Sequence, residues 1–491
     1  MTPYSPLVPL WMAAILLLSG HFWLRALCGN GEGKLSWRSD AIAWASWSLA
    51  SGAVLTSILL FAWLWALPGT MTSLGFATLQ LAVLASLWLW TRRADSDGEP
   101  VLSRPRTPFQ RASTFERSTF WLALGVALSI TVVRILDTNL SAALTGDSAL
   151  LWTFKARVIH ETGGLGGAYV EAMGDPRLRH ENYPLFNPLL QMWMFQLRDA
   201  SVFVAQRFPI QLLNIALVLG LAAALRRSAR PVIAAVLLTI FAVSPVTRHA
   251  LSFAGADAMV SFGLLVATDA WLRWRADRNT SYLRVMAIGL TLMIGSKTEA
   301  SIFLLTFAGG LFLLYLVERF GLARKSASNR RGLLAFSLPL AVFLAGTAFN
   351  LFAGFENDLA TGKGTGIGFT SRLIDQWQEY LGTVGSYFFE SALLSPRFDG
   401  LIFACLFIAT LLSIKNLMRG PRATRDLIVP ITLCAGLWAG LFLIYLATPQ
   451  PLVWHLESSA LRVLWQAIPV AAVALAGLLE SAQYLGGEPR P

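Results

Sequence analysis

Residues 43–67 read AWASWSLASGAVLTSILLFAWLWAL, twenty-five positions without one charged side chain. A helix that crosses the ~30 Å hydrocarbon core of a bilayer needs ~20 mostly apolar residues, because in lipid only a helix or a closed barrel satisfies its own backbone. The same pattern recurs along the chain. It predicts spans at 7–28, 43–67, 72–91, 119–137, 201–224, 232–250, 256–274, 285–297, 301–317, 333–352, 399–415, 427–447 and 466–484, about thirteen in all. The 285–297 run is short and reads as a half or broken helix. The first apolar run lacks a basic leader and a small-residue cleavage site, so no cleavable signal peptide is expected there.

Composition agrees with that reading. The 491 residues are 55% hydrophobic and 14% charged, with 18 Trp and 30 Phe, whereas an ordinary soluble chain is ~25% charged. Soluble, disordered, coiled-coil and disulfide-scaffold classes are excluded, and an all-α polytopic bundle remains. Cys28, Cys405 and Cys434 lie in or at the ends of apolar runs without CxxC spacing, as buried small hydrophobes do.

The net charge of +11 depends for its meaning on where the charges lie. With residues 92–118 placed in the cytoplasm and the chain alternating from there, 26 of the 39 basic residues and 12 of the 28 acidic ones fall inside. Cytoplasmic loops of membrane proteins are rich in Lys and Arg, so the charge reports topology, not nucleic-acid binding. The N-terminus is expected outside and the C-terminus inside. The layout predicts a three-span unit (1–91), a basic cytoplasmic linker (92–118) and a larger membrane unit (119–484) with outer segments 138–200, 353–398 and 448–465. Within the first outer segment, Tyr183–Leu197 is apolar but short and reads as a juxtamembrane helix lying in the interface.

Ionisable residues near membrane depth are costly and mark function. On this topology they gather at the outer face. Asp147 precedes a helix on which Trp152, Lys155 and Ile159 share one face; alternatively Asp147 is a helix N-cap and Lys155 a snorkelling residue. His180, Glu181 and Tyr183 belong to an exposed turn ahead of Pro184. Asp257 stands at the mouth of the 256–274 span. Ser296-Lys297-Thr298-Glu299 interrupts two apolar runs, the pattern of broken helices lining a cavity; a plain outer turn closed by a Lys–Glu pair is the other reading. Trp454, His455 and Arg462 lie in the last outer segment, where Trp454 and Arg462 also suit interface anchors.

The order Asp147…Trp152…Lys155-Ala156, Tyr183-Pro184-Leu185, Gly255-Ala256-Asp257, Lys297-Thr298-Glu299 and Thr448-Pro449…Trp454-His455…Ser459…Arg462 resembles that of bacterial GT-C superfamily membrane glycosyltransferases. The likeness is to the branch of protein O-mannosyltransferases and lipid A aminoarabinose transferases, and covers roughly residues 119–470. It implies a GT-C-like bundle in the bacterial inner membrane with its active site facing the periplasm. There, a sugar would move from a polyprenyl-phosphate donor to a glycan, lipid or protein acceptor. By the resemblance, Asp147 is the general base. Lys297 and Arg462, then Lys155 and His455, are candidates for the donor phosphate, while Asp257 and Glu299 hold sugar hydroxyls or orient the cations. His180, Glu181, Tyr183 and Trp454 would belong to the acceptor side or its loop. No organic cofactor is implied, and a divalent metal is left open because Asp147 is followed by Ser148 where many relatives carry a second acid. One base and no matched carboxylate nucleophile predict inversion.

Two other classes compete. A transporter or flippase of a lipid-linked sugar predicts internal symmetry and midplane charges on several helices, whereas the charges here collect at one face. An O-antigen ligase or polymerase type of enzyme predicts a late outer loop rich in Arg and His, yet 353–398 holds only Lys363, Arg372 and Arg397 and no His.

Overall fold

The computed structural model describes residues 7–28, 40–94, 108–140, 148–174, 180–198, 205–252, 255–320, 336–356, 367–395 and 400–483. All regular structure among them is helical. In chain order the α-helices are α1 (Leu7–Cys28), α2 (Ala41–Ala66), α3 (Ser73–Ala94), α4 (Pro108–Arg111), α5 (Thr114–Leu140), α6 (Phe154–Thr162), α7 (Gly167–Met173) and α8 (Phe186–Arg198). There follow α9 (Phe208–Ser228), α10 (Pro231–Val243), α11 (Pro245–Ser252), α12 (Asp257–Asp277), α13 (Ser281–Ile294), α14 (Ala300–Phe320), α15 (Ser337–Ala353) and α16 (Phe369–Ser386). The last are α17 (Gly400–Leu412), α18 (Ile414–Arg419), α19 (Arg422–Arg425), α20 (Ile428–Leu446), α21 (Leu452–His455), α22 (Leu461–Trp465) and α23 (Ile468–Gln483).

Seven helical segments among the described residues are long and apolar enough to cross a membrane, and nine if two bent pairs are each one span. This is the architecture of a multi-pass membrane protein. The expected span 232–250 is one of the bent pairs, α10 and α11 meeting at 67°. Pro245 lies at the break, where it lacks the amide that would continue the ladder. The runs expected at 285–297, 333–352 and 399–415 form shorter apolar helices, α13, α15 and α17. The 14 residues of α13 rise only ~21 Å, less than a hydrocarbon core.

Small residues set how closely the central helices approach. A Cβ on Gly263 of α12 would lie 2.5 Å from the carbonyl oxygen of Gly289 on α13. A Cβ on Gly52 of α2 would overlap the Leu16 carbonyl of α1. Without a hydrophobic force between helices in lipid, such close backbone packing supplies much of the association. Of the first three helices, α2 is embedded in the body. Ser46 of α2 donates to the Ala216 carbonyl of α9 at 2.9 Å, and α2 also packs on α8 and α13.

Buried ion pairs tie one end of the bundle together. Asp40 accepts from Arg226 at 2.6 Å and from Arg273 at 2.9 Å. Arg273 also reaches Asp269, 2.8 Å away on its own helix. Arg275 pairs with Asp426 at 2.6 Å and with Glu318, and Arg230 lies 3.8 Å from Glu480. Burial works against ionisation of Asp40, yet the two guanidinium groups outweigh it and hold its carboxyl below the usual carboxylate range. These pairs join the segments that the Lys and Arg distribution assigns to one side.

The helix expected to lie in the interface does not lie on a surface. Every residue from Leu185 to Phe195 is buried, and α8 is enclosed by α2, α6 and α9. Its polar residues are satisfied inside the protein: Thr153 donates to Gln191 at 2.8 Å, and Gln191 donates to Asn187 at 2.6 Å. Long apolar exposure falls elsewhere, at Leu122, Val133 and Leu136 of α5, Leu305 and Phe312 of α14, and Leu411 and Leu412 of α17.

Candidate functional site: a buried charge cluster at one end of the bundle

Asp147 lies outside the described residues. Just beyond it, Ser148–Thr153 forms a π-helix that runs into α6. This places Trp152, Lys155 and Ile159 on one buried face. Lys155 is wholly buried and satisfies its ammonium on backbone carbonyls: His180 at 2.8 Å, Glu181 at 2.9 Å and Tyr183 at 3.3 Å. His180, at the start of that turn, has a positive φ of 62°, a conformation uncommon for a residue with a Cβ. The turn is not exposed, since Glu181 and Asn182 are buried, and the following helix starts at Phe186 instead of Pro184. Three strong donors from one ammonium fold the turn inward, and Asn350 of α15 closes it by donating to the Asn182 carbonyl at 2.9 Å. Tyr183 is stacked between His180 and Trp152, with ring centroids 4.6 and 5.6 Å away.

The Tyr183 hydroxyl donates to Glu299 Oε1 at 2.9 Å and so joins the turn to the polar break between α13 and α14. The Lys297 ammonium there lies 3.1 Å from Glu299 Oε1 and 3.0 Å from Asp257 Oδ1 at the first turn of α12. Arg462 on α22 approaches the other oxygen of Asp257 at 3.3 Å. Gln466 donates its Nε2 to Asp257 Oδ1. Asp257 and Lys297 are about 5% exposed, against 20% for Arg462. Charges so far from water persist because they are paired and hydrogen-bonded.

Local sequence explains each placement. Gly295 lets the Phe186 ring pack directly on the chain at the break, where a Cβ would come within 2.4 Å of it. Gln466 occupies a 47° bend between the helices that flank it. Pro469, which lacks an amide hydrogen for the preceding turn, lies just after that bend.

His455 is seated by Thr448, whose Oγ1 is 2.6 Å from its Nδ1, and by the Tyr445 ring at 4.8 Å. Burial, then the neighbouring His180 charge, push its pKa down to about 4. It stands here as a hydrogen-bonding partner of Thr448. The adjoining Trp454 is exposed. A π-helical segment, Leu456–Ala460, separates His455 from Arg462's helix; π segments recur at functional sites.

Asp257, Lys297, Glu299 and Arg462 thus form one ion cluster, reached by Tyr183 and, through its turn, by Lys155, His180 and Glu181. His455 stands beside it, close enough to feel the charges of Glu299 and Lys297. Sequence reasoning missed Gln466, Tyr445 and Asn350, and quoted Thr448 without giving it a role. Only Gln466 carried a usable signal, being a polar residue four positions after Arg462 in an otherwise apolar run. Among the described residues no group of three His, Cys, Asp or Glu side chains is placed to hold a metal ion. No family model matches the chain, and neither a curated protein nor a solved structure matches it.

Proposed function

We propose that the protein is an inverting GT-C-like glycosyltransferase of about thirteen spans, using a polyprenyl-phosphate sugar at the outer face of a bacterial inner membrane. The supporting observation is the convergence of Asp257, Lys297, Glu299 and Arg462 from three distant segments into one buried cluster beside Lys155, Tyr183 and His455. The basic ion-paired end of the bundle then faces the cytoplasm, with the N-terminus outside and the C-terminus inside.

In this reading Asp147 takes the proton from an acceptor hydroxyl as its oxygen attacks the anomeric carbon. The bond from that carbon to the phosphate oxygen breaks, the electron pair stays on the phosphate, and the centre inverts. Of the two cluster cations, Arg462 is the more exposed and is the one to meet the leaving phosphate. Lys297, held between two carboxylates, fixes their positions. Lys155 holds the loop that carries Tyr183.

The test is transfer from a radiolabelled prenyl-phosphate sugar by the full chain in lipid vesicles. Asp147→Asn is expected to abolish release of prenyl phosphate while donor binding persists. Arg462→Ala is expected to lower turnover by about 2.7–4 kcal/mol of lost charge stabilisation. Unchanged turnover in either variant, or a product with retained configuration, refutes the corresponding role.

A further inference from the structure

The hydrogen-bonding balance of the cluster identifies which part of a ligand it receives. The cations already have partners. Lys297 faces two carboxylates, and Lys155 donates to three carbonyls. The atoms that are buried with no hydrogen-bond partner among the described residues include Glu299 Oε2, Gln466 Oε1 and Thr298 Oγ1. Two of these are acceptors by necessity. Glu299 turns its Oε1 to Lys297 and Tyr183, which leaves Oε2 as a carboxylate acceptor. Gln466 uses its Nε2 on Asp257, so the remaining atom is the carbonyl oxygen. A buried acceptor without a donor is costly, and more so when it is charged. Such atoms in a native site call for an occupant.

At Glu299 Oε2 and Gln466 Oε1 the shortfall is in donors. The phosphodiester of a lipid-linked sugar offers only acceptor oxygens, whereas a sugar ring offers several O–H groups. We infer that Glu299 Oε2, Gln466 Oε1 and Thr298 Oγ1 form the subsite for the sugar hydroxyls, with Asp257, which already accepts from Lys297 and Gln466 and is ion-paired with Arg462, acting as a positioning residue. That the polyol is the sugar of a lipid-linked donor rests on the function proposed above.

The experiment measures equilibrium binding to the full chain in nanodiscs. The probes are farnesyl glucoside and farnesyl mannoside, with farnesol as the sugar-free control and farnesyl phosphate as the sugar-free anion. The wild type is expected to bind at least one glycoside about tenfold or more above farnesol. Glu299→Gln is expected to remove that preference, and Thr298→Val, which touches no ion pair, to reduce it several-fold. Thr298→Val is not expected to change farnesyl phosphate binding. Glycosides bound no better than farnesol, or glycoside affinity unchanged in both variants, overturns the subsite. So does a loss of farnesyl phosphate binding equal to the loss of glycoside. A farnesyl-phosphate sugar that binds no tighter than the glycoside refutes the phosphate-linked donor and leaves the polyol subsite standing.

Discussion

Lys297 lies 3.0 Å from Asp257 and 3.1 Å from Glu299, with Arg462 3.3 Å from the far oxygen of Asp257. With an effective dielectric of ~20, each Lys297 contact corresponds to roughly 5 kcal/mol of Coulomb attraction. Desolvation of buried ions offsets several kcal/mol per ion. The net effect of the intact cluster on stability is therefore small, and the large effect comes from unbalancing it. Lys297→Met leaves two carboxylates facing one guanidinium, and Asp257→Asn leaves two cations facing one carboxylate. Each is expected to destabilise by ~3–5 kcal/mol, the usual result of removing one partner of a buried pair. The double variant restores charge balance, so it should fall short of the sum by ~1–3 kcal/mol, as coupled neighbours do. Reversible unfolding in mixed micelles, followed by tryptophan fluorescence, measures all four proteins. Single variants within ~0.5 kcal/mol of wild type, or strict additivity, would show that the cluster is solvated and uncoupled.

Other expectations follow from individual contacts. Gly263→Ala places a methyl 2.5 Å from a Gly289 backbone oxygen and should destabilise by ~1–3 kcal/mol or more. Gly125→Ala, with nothing within 4 Å of the added carbon, should leave stability unchanged or slightly raised in the same unfolding measurement. Because the Asp40 carboxyl is held below its usual range by Arg273 and Arg226, its contribution is fully present above ~4, the unfolded value, and is lost as pH falls through the lower folded value. Unfolding free energies measured between pH 3 and 7 should therefore show a steeper acid loss in wild type than in Asp40→Asn, which is already less stable at neutral pH. Lys155→Met should open the His180–Tyr183 turn to limited proteolysis. Lys155→Arg should not rescue it, since a planar guanidinium cannot direct donors at three carbonyls as an ammonium does.

Much of this molecule was readable because lipid imposes a simple code. Long uncharged runs such as 43–67 became helices, and charges gathered at the outer ends and breaks of such runs stand out, which is how Asp257, Lys297, Glu299 and Arg462 could be singled out before their contacts were known. What escaped were the features decided by partners remote in sequence. An apolar helix carrying Asn187 and Gln191 looks interfacial until Thr153 is seen to satisfy its amides. Lys155 looks like a snorkelling residue because its partners are backbone carbonyls, which leave no trace in side-chain identity. The run 232–250 read as one continuous span, and the 67° bend at Pro245 within it went unread. Gln466 is neutral and drew no attention among apolar neighbours, although it shares Asp257 with two cations.

Helix α12 carries Asp257 at one end and Arg273 and Arg275 toward the other, each locked to different helices or loops. Mechanically it is a tie rod, with the sixteen-position separation of Asp257 and Arg273 giving ~24 Å of hydrogen-bonded helix. A piston stroke of even one turn, ~5.4 Å, would uncouple both fittings together. Axial sliding of this helix would break the ion pairs at both its ends at once, so those two sets of contacts share one length standard.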